Sequence, residues 1–176
     1  MPELFPAWLI PLVFGMVGAC IGSFLNVVIY RVPLGISIND PARSFCPECD
    51  EPIPWYLNIP VFSWLFLRGK SACCRTPISF RYWLVELLTA LIFAAMAWKY
   101  ADMSLAAAVL LCVWSALAIV IMFIDAEHLI VYRSQALAAA AAGVGASCFF
   151  PFLLPDKDIM TWTDAFQGAV LGGAAG

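Results

Sequence analysis

Long apolar runs, broken by short clusters of charge, set the pattern of this chain. Residues 4–30 carry no charged side chain, and neither do residues 103–124 or 134–155. Each run exceeds the roughly 20 residues that an α-helix needs to cross about 30 Å of hydrocarbon. Residues 82–98 are apolar apart from Glu86 and predict a shorter span. A further apolar run occupies residues 165–176. It predicts the start of another helix in a C-terminally truncated chain, the alternative being a short interfacial tail. The expected fold is therefore all-α: a polytopic integral membrane protein with about four transmembrane helices plus the start of a fifth.

The first run does not read as a secretory signal. Only Glu3 precedes it, where a signal needs a basic segment, and it is too long. The sequence VGAC at 17–20 faintly resembles a lipoprotein cleavage box, but the apolar run continues past it to Tyr30.

Between the first two spans the pattern changes. Residues 31–81 contain Pro33, Pro41, Pro47, Pro52, Pro54, Pro60 and Pro77. Proline fixes φ and removes a donor, so this segment predicts a compact, turn-rich insert rather than a helix. The chain divides into a first span (1–30), a Cys-rich loop (31–81) and a second membrane portion (82–176). No internal repeat is visible, and the Ala-rich patch at 136–142 predicts a close helix-packing surface.

Composition agrees with the pattern. The chain is 64% hydrophobic and 12% charged, with a mean hydropathy of +0.91. A soluble domain of 176 residues has too little interior for that much apolar surface. The net charge of −3 gives no footing for nucleic acid. Six of the nine Lys and Arg residues fall between the first two spans: Arg31, Arg43, Arg68, Lys70, Arg75 and Arg81. The positive-inside rule then places this loop in the cytoplasm. The N-terminus, Lys99 and Asp102 fall outside, and Asp125 falls at the cytoplasmic end of the third span.

Two groups of residues carry candidate chemistry. Cys46 and Cys49 form a C-x-x-C turn that can present two thiolates to one tetrahedral metal, and Cys73 and Cys74 follow 24 residues later. A second C-x-x-C would need a cysteine where Ser71 stands, and adjacent cysteines rarely bind one ion without strain. A structural zinc site of Cys46, Cys49, Cys74 and Cys73 and a metal-free remnant both remain open. Cytoplasmic placement disfavours disulfides. Cys20, Cys112 and Cys148 read as small packing residues in the spans. Asp125, followed by Glu127 and His128, is the second candidate: a carboxylate at a membrane boundary is either solvated or used. Aspartic peptidases need two such groups, one ionised to activate water and one protonated to polarise the carbonyl. Glu127 lies on a different helical face, Asp156, Asp158 and Asp164 are expected across the membrane, and Glu86 is a candidate for a buried polar role. His128 reads as an interfacial residue.

These residues also resemble one family. GSFLNVVIYRVP at 22–33 is similar to the opening motif of the bacterial prepilin leader peptidases. CPEC at 46–49, IPWYLNIP at 53–60, SWL at 63–65, LRGK at 67–70, PISFRY at 77–82, Val85-Glu86 and LTA at 88–90 continue the likeness in order. The resemblance implies an inner-membrane enzyme that cuts the leader peptide from type IV prepilins and pseudopilins at the cytoplasmic face, after a glycine. It implies N-methylation of the new N-terminus with S-adenosylmethionine, and links the cysteine loop to that activity. It maps a catalytic aspartate onto Asp125, in FIDAE at 123–127. Three departures stand against it. Tyr132-Arg133 replace the family's Pro-Asp, Ser71 replaces a cysteine, and a second aspartate in a Gly-x-Gly-Asp motif is absent. Two rivals remain: a non-catalytic membrane scaffold of the same family in pilus or secretion assembly, and an unrelated membrane metal-binding protein.

Overall fold

A computed structural model of the chain describes residues 6–39, 44–46, 48–102 and 104–128. Among the described residues three helices are long and apolar enough to cross a membrane, and no strand forms. We number them α1 (Leu9–Arg31), α3 (Phe80–Tyr100) and α4 (Leu105–His128), with a one-turn 3-10 helix (Trp55–Leu57) and a short helix α2 (Phe62–Phe66) in the loop between α1 and α3. At 1.5 Å per residue, α1 extends about 34 Å, enough for the hydrocarbon core. The expected spans at 4–30, 82–98 and 103–124 are thus found with their ends moved by a few residues. The fourth span at 134–155, the run at 165–176, the Ala-rich patch and Cys148 lie outside the described residues.

The chain runs up α1, back along α3 and up α4. α3 and α4 are joined by a tight turn at Lys99 to Ser104, where the Ser104 N–H donates to the Tyr100 carbonyl at 2.8 Å. α1 packs mainly along α3, and α4 lies against both. Only 22–33% of each span is buried within the bundle, so most of its apolar surface is left for lipid.

Helices cannot be driven together by apolar burial when lipid is equally apolar, so close approach and polar links matter more. Gly18 and Gly22 provide the approach. A Cβ at Gly18 would sit 2.9 Å from Phe93 Cβ and the Thr89 carbonyl, and one at Gly22 would sit 2.8 Å from Glu86 Cα. Asn26, almost fully buried, donates from Nδ2 to the Tyr82 carbonyl at 3.0 Å and links α1 to the first turn of α3. The apolar core of Leu25, Ile29, Val85, Ile119, Val120 and Ile124 lies toward the same end of the bundle. That end joins the C-terminus of α1, the N-terminus of α3 and the C-terminus of α4. It therefore carries the loop, Arg31, Arg81 and Asp125 together. Cys112 is buried in α4 as expected, but Cys20 is exposed on the outside of α1 and is not a packing residue.

Candidate functional site: a four-thiol centre and the Asp125 end of the bundle

Proline-punctuated turns, rather than regular elements, build the loop. Ser79 caps α3 by accepting from the Arg81 N–H at 3.3 Å. At the other junction, buried Arg31 turns inward, and its guanidinium donates to the carbonyls of Ser37 and Ile38, both at 3.0 Å. In the sequence Arg31 counts among the six basic residues that orient the loop; here it also folds residues 32–38 back onto the helix end.

Two turns of the loop are copies of one another, 25 residues apart. Phe45 pairs with Pro52, and Lys70 with Pro77, as isolated antiparallel bridges. The Cys46 N–H donates to the Glu51 carbonyl and the Ser71 N–H to the Thr76 carbonyl, at 2.9 and 2.8 Å. The Ile53 N–H donates to Ser44 and the Ile78 N–H to Gly69. Asp50 and Arg75, at matching positions, both take positive φ, 54° and 62°. This structural repeat went unseen in the sequence, although C-x-x-P-I at 49–53 recurs at 74–78, because most of the likeness lies in the backbone. It shows what the substitution at position 71 does. Ser71 matches Cys46 and Cys74 matches Cys49, while Cys73 supplies the remaining thiol from inside the second turn.

The structure brings all four predicted thiols together. Their Sγ atoms lie within 4.8 Å of one another. The distances are 3.6 Å for Cys46–Cys74, 3.2 Å for Cys49–Cys73 and 3.8 Å for Cys73–Cys74. A tetrahedral zinc with Zn–S bonds of about 2.3 Å needs S···S separations of about 3.8 Å. The geometry fits one ion, and the adjacent Cys73 and Cys74 both bring their Sγ atoms into the cluster. Cys46 is buried and the other three thiols are exposed.

Local hydrogen bonds divide the thiols by acidity. Hydrogen bonds from the Ser71 hydroxyl, then from the Thr76 hydroxyl and backbone, pull Cys74 down to about 6. Cys73 is lowered chiefly by the hydrogen bond from Cys49. Cys49 shows the converse. The Glu51 backbone N–H lowers it, but this is outweighed by Cys73, desolvation, Cys46 and Cys74, which together push it up to about 12. Ser71 is thus not an empty ligand position; it supports a thiolate through a hydrogen bond.

Asp125 lies half-buried in the last turn of α4, next to fully buried Ile124. It belongs to the same end of the bundle as the loop but not to the thiol cluster. Two other carboxylates named above are already engaged. Glu127 pairs with Arg81 across the α4–α3 junction, a partly exposed contact worth about 0.5 kcal/mol. Glu86 accepts the Val61 N–H at 2.7 Å, the polar role left open for it in the sequence. Val61 precedes α2 with φ at +65°, a left-handed conformation that a β-branched residue rarely adopts. His128 closes α4, and its side chain lies outside the described residues.

A polytopic helical membrane protein with a four-thiol loop at one end of its bundle is the class that fold and site define. Residues 16–100 match the family model of the bacterial peptidase A24 N-terminal domain. The chain is 42% identical over 165 residues to a prepilin leader peptidase/N-methyltransferase of Myxococcus xanthus, covering 92% of this chain and 44% of that protein. It is 34% identical over 184 residues to the one of Dichelobacter nodosus, covering 90% and 61%. Over 82 residues it is 54% identical to the one of Klebsiella pneumoniae, covering 43% and 36%. The chain belongs to the bacterial prepilin leader peptidase family. Its matches span from 36% to 61% of the length of these relatives, and no solved structure matches it.

Proposed function

We propose that this chain carries the N-terminal part of an enzyme that removes the leader peptide from type IV prepilins and pseudopilins. The observation that carries the reading is its likeness, along nearly its whole length, to relatives named for that activity. The position of Asp125 supports it: a half-buried carboxylate at the end of a span, beside a basic loop. The proposed division is a first helix (1–30), a loop domain (31–81) and a membrane peptidase portion (82–176). The bacterial inner membrane holds it, with the loop and Asp125 in the cytoplasm, a placement that the six basic residues in 31–81 support.

Asp125 acts in this scheme as one of two catalytic carboxylates. An ionised carboxylate takes a proton from water, which attacks the carbonyl of the scissile peptide bond. The protonated partner donates a hydrogen bond to that carbonyl oxygen and then passes its proton to the leaving amine. Glu86 and Glu127 are engaged elsewhere, and neither is assigned as the partner. Cys46, Cys49, Cys73 and Cys74 would hold a structural zinc. A shell of four thiolates leaves no position open for water or substrate, so the ion would fasten the loop rather than take part in hydrolysis. The relatives' names also include N-methylation, and on the strength of that name alone we extend the proposal to S-adenosylmethionine as methyl donor.

Leader cleavage in membranes tests the proposal. Expressed from its full reading frame, the protein with Asp125→Asn should insert normally and lose at least about a thousandfold in cleavage rate. Retained cleavage would remove Asp125 from the mechanism.

A further inference from the structure

The segment 55–66 exposes more aromatic surface than any use described so far explains. Trp55 is 81% exposed and Phe66 83%, and Tyr56, Phe62 and Leu65 are each about half exposed or more. Large aromatic rings each carry about 150–250 Å² of surface, so the patch is large for a surface facing water. It is nonetheless firmly placed. The Trp64 indole packs on Phe80 and Trp83, with ring centroids 5.8 and 5.9 Å away, and donates to the Ile78 carbonyl at 3.2 Å. Gly69, at φ +69°, lets the chain pass over that ring, since a Cβ there would sit 2.8 Å from it. Burying Trp64 inward leaves Phe62, Leu65 and Phe66 on the outer side of α2.

The depth of this segment follows from its bond to Glu86. Arg81 is the last basic residue before the apolar part of α3, and Glu86 lies five residues further along. At 1.5 Å per residue, the carboxylate is about 8 Å further along the helix than Arg81. The Val61 N–H reaches that carboxylate at 2.7 Å, so the start of α2 is held beside α3 at this level. Interfacial segments bury their apolar faces about 5–10 Å into the headgroup and acyl boundary, and Trp and Tyr concentrate there. Half-exposed Phe80, in edge-to-face contact with Trp64, joins the patch to the lipid-facing start of α3. Exposed Arg68 and Lys70 follow α2 and offer positive charge to lipid phosphates.

We infer that residues 55–66 are seated in the bilayer, with Trp55, Tyr56, Phe62, Leu65 and Phe66 among the headgroups and upper acyl chains of the leaflet on the loop side. The loop then lies partly on the membrane rather than projecting freely into solution. Its outer face commits to lipid and not to a protein partner. The inference rests on the spanning helices and the Val61–Glu86 bond, and stands apart from the proposed peptidase activity.

The test is photocrosslinking in whole protein. Benzoylphenylalanine replaces Trp55, Phe66 or, as a control, exposed Glu48 in the first thiol turn. Each variant is reconstituted in nanodiscs of phosphatidylethanolamine and phosphatidylglycerol and irradiated, and adducts are read by mass spectrometry. Lipid adducts at positions 55 and 66 should exceed those at 48 by at least about fivefold. Equal lipid yields at the three positions would overturn the inference. So would irradiation in native membranes that gave protein adducts in place of lipid at 55 and 66. Should a variant not fold, Trp55→Phe gives an independent reading. The emission lost in that variant belongs to Trp55, and phospholipid brominated near the headgroup should quench that component. An unquenched component would equally overturn the inference.

Discussion

The helix bundle and the 32–79 loop share two chain junctions but hold together by different means. In the bundle, helices satisfy their own backbone, and they meet through bare glycines, the Asn26–Tyr82 hydrogen bond and the Arg81–Glu127 pair around an apolar core. In the loop, almost nothing is regular. Its shape comes from left-handed residues, carbonyls gathered by Arg31, a carboxylate reaching Val61, and four thiols within reach of one ion. The contrast shows why the two regions respond to different perturbations. The bundle is sensitive to added volume, and the loop to lost polar partners or lost thiols.

The largest effect should come from the thiols. Cys46→Ser should take zinc from one equivalent to none and open the loop to protease while leaving helical content unchanged, as metal analysis, limited proteolysis and circular dichroism would show. Ser71→Cys combined with Cys73→Ala should keep the full equivalent, because the structural repeat places residue 71 opposite Cys46. Affinity should rise with pH. Binding takes thiolates, Cys49 is held protonated up to about 12 and so releases its proton on binding, and below about 6 Cys74 is protonated as well. Competition with a chromophoric chelator between roughly pH 5 and 8 reads this slope. A flat profile would count against thiolate ligation.

Next in size is Gly22→Leu, which drives a side chain into Glu86 Cα. We expect about 3 kcal/mol of lost bundle stability, measured by reversible unfolding in detergent, and little change in zinc content. A third variant tests the joint between the regions. Glu86→Ala should release Val61 and cost about 1–3 kcal/mol, with raised hydrogen exchange confined to α2. Glu86→Gln, which keeps an acceptor, should retain most of the protection.

Much of the bundle was legible in the sequence because lipid imposes a simple requirement: length and absence of charge. Three spans follow directly from the apolar runs, and Lys99 and Asp102 mark the turn between α3 and α4. The thiol set was legible from the C-x-x-C at 46–49 and the paired cysteines at 73–74. Its geometry was not. Reading Ser71 as a missing ligand ignores that Cys73, inside the second turn, brings its Sγ to 3.2 Å from that of Cys49. Gly18, Gly22, Asn26 and the partner of Glu86 were equally hidden, since their meaning depends on which helices meet and at what height. Asp125 was singled out by its place after a long apolar run, which any observer of membrane sequences can see. Its proposed chemistry needs a second carboxylate, which the described residues do not identify.

All the candidate chemistry gathers at one end of the bundle, and the account requires that end to face the cytoplasm, where leader peptides are presented. The most direct measurement inserts a cleavage site for a specific protease after Gly35, whose surroundings are open, or in the α3–α4 turn after Ala101. The account predicts that the Gly35 site is cut only in inverted vesicles and the Ala101 site only in spheroplasts. Cutting at Gly35 in intact spheroplasts would contradict it.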